Sequence, residues 1–176
     1  MSLLEGQIMA ATNADLLTLA RQLPIPVPWD RRTFVENFAY QRGRPIRLIP
    51  TDTAAFIDSP CGLWMIKDDE DIIVHEAGTT DYHIDQIVCH EIGHMVLEHR
   101  SGPREGNRVG PTAIAELCRS ILPDLEPALI RTVLGRTDYA DEQERDAERF
   151  ASVLMLAAAE AAQSQSMMRS AFLNRR

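Results

Sequence analysis

His90-Glu91-Ile92-Gly93-His94 constrains this chain more than any other stretch of it. The run from about Gly78 to His99 predicts a helix, opened by a threonine cap with Asp81 in its first turn. On a helix, residues four apart project from nearly one side, so the two imidazoles can grip a single divalent ion. Glu91 falls about 60° beyond His94, within the same half of the helix. Neutral imidazole suits Zn²⁺, and a carboxylate beside it is a base that works at neutral pH. The pentapeptide therefore predicts a hydrolytic site, with His90 and His94 as Zn²⁺ ligands and Glu91 as the catalytic base. A catalytic zinc takes three protein ligands, so the fold must deliver one more to this helix.

Several residues compete for that place. The metzincin spacing requires Gly and His where this chain has Leu97 and Arg100, which excludes that class. His99 would face the opposite side of a continuing helix, and His83 would lie about 10 Å from His90 along the axis. Glu116 points away from the apolar stripe of its own segment, Ile114, Leu117, Cys118 and Ile121. A long helix predicted from Asp141 buries Ala147, Phe150, Ala151, Leu154 and Ala158. Glu144 lies about 60° from Ala147, nearer that face than Asp146 or Glu148, each at about 100°. Glu144 is thus the preferred third ligand, with Asp146 and Glu148 as alternatives. The small Ala147 one turn on lets two helices approach closely, and Glu148 is placed to bond the far nitrogen of a ligating histidine.

The remaining pattern predicts an α+β fold, with a small, mostly antiparallel sheet of about three strands packed on a helical bundle that carries the HExxH helix. A short helix over Ala14 to Leu23 meets a proline-rich linker, Pro24 to Pro28. Asp30 caps a second helix that Gly43 ends. Strands are predicted at Ile46–Ile49, Gly62–Lys67 and Ile72–His75, the last a candidate sheet edge for an extended substrate and equally a candidate paired strand. Asp68 to Asp71 reads as a solvated hairpin turn, and Ser101 to Pro111 as a connector. Thr112–Leu122 and Leu125–Leu134 read as helices, and the polar tail from Ser164 as frayed. The implied division is 1–28 as helix and linker, 29–163 as the zinc-peptidase-like domain and 164–176 as tail.

Bulk properties narrow the function. A net charge of -8 argues against direct nucleic-acid binding, because phosphate backbones attract basic surfaces. Cys61, Cys89 and Cys118 are odd in number and widely spaced, as expected of free thiols in a reducing compartment. No secretory signal and no membrane-length apolar run is evident, which predicts a cytoplasmic protein away from membranes.

The HEIGH helix after a small strand region, followed by E-x-x-A-[acid]-x-F-A at Glu144 to Ala151, resembles the ImmA/IrrE family of metallo-endopeptidases. The resemblance runs from about Pro45 to Leu156. It implies the ligand set His90, His94 and Glu144, with Glu91 as base. It also implies a protein substrate, a bacterial helix-turn-helix transcriptional regulator, cleaved in a stress response or in mobile-element control. The chain departs from the family pattern in a longer gap between His94 and Glu144, and in Val153-Leu154-Met155-Leu156-Ala157, which lacks the usual closing proline. The competing function is a binding module, in which zinc holds the helices together while the protein sequesters a regulator uncut. Glu91 argues against it, since a purely structural site needs no base. A metal or redox sensor using Cys89 is weaker still, because Cys89 lies about 100° around the helix from His90. Tyr82, Tyr139, His75 and Arg108 are candidate oxyanion donors.

Overall fold

The computed structural model describes residues 12–52, 62–99, 130–134 and 141–173, together with Glu116, Arg119, Pro123 and Glu126. The predicted connector over Ser101 to Pro111, and nearly all of the predicted helix over Thr112 to Leu122, lie outside the described residues. The fold is α+β: four helices and a four-stranded mixed sheet among the described residues.

Helix α1 (Asn13–Arg21) opens with a capping box, in which Thr12 and Asp15 satisfy each other's backbone N–H groups. Helix α2 (Arg31–Arg42) starts at Asp30, whose carboxylate accepts from the Thr33 amide at 2.7 Å. It stops at Gly43, where φ is +69°, a conformation glycine enters without steric cost. Phe34, Val35 and Phe38 form its buried face.

Strands β1 (Ile46–Thr51), β2 (Gly62–Lys67), β3 (Asp71–Glu76) and β4 (Ile130–Leu134) lie in the order β1-β3-β2-β4. The β2–β3 and β2–β4 pairs are antiparallel, and β1–β3 is parallel. β3 is therefore an interior strand and not the edge that an extended substrate would need. Its burial agrees: Asp71 to His75 are all buried, as a strand covered on both faces requires. The predicted helix over Leu125 to Leu134 ends instead in β4. Five residues rich in branched side chains carry no decisive period, and pairing with Trp64 to Lys67 settles them as strand.

The turn at Asp68 to Glu70 is as expected, but Asp71 is not solvated. It is fully buried and pairs with Arg42 at the end of α2 and with Arg44, whose Nε lies 3.1 Å from Asp71 Oδ1. Both arginines keep about a quarter of their side chains exposed, so they can rehydrate if the carboxylate is removed. Asp71→Ala is accordingly expected to cost about 1–3 kcal/mol in denaturant unfolding, the range for losing charge-assisted hydrogen bonds rather than for stranding a buried charge.

Helix α3 (Asp81–Val96) carries the pentapeptide, and helix α4 (Asp141–Leu173) carries the acidic cluster. Thr80 caps α3 by accepting from the His83 amide. One hydrophobic cluster joins Leu16 and Ala20 of α1, Phe34, Val35 and Phe38 of α2, Trp64 and Ile73 of the sheet, Val88, Cys89 and Ile92 of α3, and Phe150, Ala151 and Leu154 of α4. The first helix thus shares the main core. The expected frayed tail is helical as far as Leu173, because no proline or glycine interrupts the Ala-rich stretch. Among the described residues, no helix is long and apolar enough to cross a membrane.

Candidate metal centre

Helix α3 lies across the sheet face that carries Gly62, Trp64, Ile73 and His75, and it packs against α4 on its other flank. The α3–α4 crossing is close because two small residues meet there. A Cβ built on Gly93 would stand 3.1 Å from Phe150 Cδ1, 3.3 Å from the Ala147 carbonyl oxygen and 3.4 Å from Ala147 Cα. The glycine of HEIGH and the alanine of E-x-x-A are thus the two halves of one contact. That contact sets Glu144, one turn before Ala147, opposite the histidines.

His90 Nε2 and His94 Nε2 lie 3.0 Å apart. Glu144 Oε2 is 3.5 Å from His90 Nε2, and Glu144 Oε1 is 3.3 Å from His94 Nε2. Ligands about 2.0–2.2 Å from a tetrahedral ion stand roughly 3.3 Å from one another, so these atoms have the spacing of a coordination set. Glu144 Oε1 and Glu91 Oε2 are buried with no hydrogen bond of their own, a costly arrangement unless a cation or polar ligand compensates it. His90, His94 and Glu144 form a group that could hold a metal ion.

The alternatives to Glu144 are not part of this group. Asp146 is buried, but its Oδ1 accepts from Arg149 at 3.0 Å, and Arg149 in turn holds Asn13 at the start of α1. Glu148 is exposed, and its charge helps to raise the His90 pKa. Glu116 is exposed as well. Cys89 points into the core, with Sγ 3.8 Å from Met155 Sδ, and burial pushes its thiol pKa up. It offers nothing to the site.

The electrostatics follow from burial and from the shared carboxylate. Burial pushes Glu91 up to about 7, although the neighbouring His90 pulls it down. Glu144 is held at about 2: burial opposes its charge, but the close approach of both imidazoles outweighs that. Burial also works against a charge on His90, yet Glu144 and the surrounding carboxylates leave its pKa raised. For His94, burial prevails and the pKa is lowered.

Gly62, at the start of β2, is pressed against Glu91. A Cβ there would lie 2.6 Å from Ile87 Cγ2 and 2.9 Å from Glu91 Oε1. Gly62→Ala is expected to displace the Glu91 carboxylate while sparing the ligands. Metal stoichiometry should then be unchanged and turnover lowered by up to about 10²-fold, the cost of a misplaced catalytic group. Sequence reasoning missed this role, because a strand-initial glycine carries no mark of what lies above it.

His99 departs most from expectation. On a continuing helix it would face away, but α3 ends at Val96, and Glu98 takes a left-handed φ of +53°. The chain doubles back and brings His99 Nδ1 to 3.0 Å from His94 Nδ1, with ring centroids 5.1 Å apart. Of the candidate oxyanion donors, Tyr82 is largely exposed, and Tyr139 and Arg108 lie outside the described residues. His75 is buried and donates from Nδ1 to the Glu76 carbonyl at 2.9 Å. No protein-family model, curated protein or solved structure matches the chain.

Proposed function

We propose that the protein is a zinc-dependent endopeptidase. The single observation that carries this reading is a buried carboxylate, Glu91, on the same helix as two imidazoles that share a second carboxylate, Glu144. Zinc held by His90, His94 and Glu144 would supply Lewis acidity toward a peptide carbonyl and acidify water. Glu91 takes the proton from the attacking water and delivers it to the leaving amine nitrogen; its pKa near 7 suits both transfers. Gly62 has no side chain to crowd this carboxylate, since a Cβ there would lie 2.9 Å from Glu91 Oε1. Ile87, buried against Gly62 beside Glu91, keeps the surroundings of that carboxylate apolar, which strengthens its charge interactions.

The motif resemblance to the ImmA/IrrE family supports a bacterial helix-turn-helix transcriptional regulator as the protein substrate, and a cytoplasmic setting. The direct test incubates the full chain with regulators encoded beside its gene, with and without zinc. Zinc-dependent cleavage at one position supports the reading. Zinc uptake with every candidate left intact would favour the sequestering module.

Metal binding also has a readout without substrate. A ligand that binds only the folded chain stabilises it by about 2.7 kcal/mol at a hundred times its Kd. For a chain of this size that is roughly 5–10 °C in Tm. Zinc is expected to produce a shift of that order at one ion per chain, and His94→Ala is expected to remove it.

A further inference from the structure

We propose that His99 is a positioning residue, which supplies the acceptor that a metal-ligating His94 needs for its second ring nitrogen. The inference rests on the metal site described above and adds the group that orients one of its ligands. A hydrogen bond between two Nδ1 atoms contains one proton, carried by one ring or the other. A histidine that ligates through Nε2 must leave its lone pair there, so its proton sits on Nδ1. His94 Nδ1–H then donates to His99 Nδ1, and His99 keeps its own proton on Nε2. In the opposite arrangement, the His94 proton sits on Nε2, facing Glu144, and that nitrogen cannot ligate.

The backbone is built to hold this contact. Leu97 N–H bonds the Gly93 carbonyl at 2.9 Å as the last regular turn closes. Glu98 then reverses the chain, and His99 N–H bonds the carbonyl of His94 itself at 3.0 Å. His99 is thus fastened to His94 at two points, once through the backbone and once through the ring. A non-glycine residue in the left-handed region costs roughly 1–2 kcal/mol, which the surrounding structure must sustain. His94 is fully buried, so bulk water is a poor substitute for that acceptor.

The test measures zinc affinity of the full chain by competition with a chromophoric chelator, for the natural sequence and for His99→Phe and His99→Asn. Phenylalanine fills the space without an acceptor. Asparagine offers a carbonyl oxygen close to where Nδ1 stands. His99→Phe is expected to lose roughly 10–100-fold in zinc affinity, as removal of a partner to a ligating histidine generally does. His99→Asn is expected to recover most of that loss, with the metal-free Tm of the two variants alike. Equal affinity in His99→Phe and the natural chain, or an asparagine no better than phenylalanine, would overturn the proposal. Failure of the natural chain to bind zinc is a separate result, and it removes the metal site itself.

Discussion

Glu91→Gln is expected to leave zinc uptake intact and to lower peptide hydrolysis by roughly 10²–10⁴-fold, the usual contribution of a positioned general base. Glutamine has nearly the same shape, so Ile87 and Gly62 meet the same volume. It cannot accept a proton from water at neutral pH or pass one to an amine. Glu91 makes no hydrogen bond through Oε2 and lies outside the ligand group, so its charge can be removed without dismantling that group. The measurement pairs zinc stoichiometry with cleavage rate on one preparation. A variant that binds zinc and still cleaves at the natural rate would remove Glu91 from the chemistry. A variant that loses zinc would make Glu91 part of the metal site instead.

Gly93→Val should be the most damaging single change at the helix crossing. Even a bare Cβ would press on Phe150 and on the Ala147 backbone, and valine adds two more carbons in a stiff rotamer. Overpacking of this kind costs about 1–3 kcal/mol, occasionally more, and the helices separate to relieve it. Separation draws Glu144 away from His90 and His94, whose spacing allows little slack. Zinc affinity should therefore fall together with stability, whereas Gly62→Ala leaves affinity alone. Urea unfolding and chelator competition on both variants separate the two effects. Natural zinc affinity in Gly93→Val would show that the crossing does not set the Glu144 position.

Much of this site was legible in the chain, because helical spacing is a local property. The four-residue step from His90 to His94 needs only a helix, and the choice of Glu144 over Asp146 and Glu148 needs only the buried face marked by Ala147, Phe150 and Leu154. The failures share a different cause. The β4 segment reads as helix in sequence because its pairing with β2 is made across a long stretch of chain. Asp71 reads as a turn residue because the arginines that neutralise it, Arg42 and Arg44, lie two strands earlier in the chain. The sequence puts His99 on the far side of the helix because no glycine announces the reversal at Glu98. Gly93 and Ala147 were each visible as small residues, but only the fold joins them into one contact.

The placement of the donors along their helices has an electrostatic consequence. His94 lies in the last turn of α3, and Glu144 in the first turn of α4. Aligned peptide dipoles make the C-terminal end of a helix negative and the N-terminal end positive, each worth about 0.3–1 kcal/mol to a suitable charge. A cation beside His94 therefore sits at the negative pole of one helix, while the carboxylate facing it sits at the positive pole of the other. The backbone itself, before any side chain is counted, favours a positive ion beside the end of α3 and an anion at the start of α4.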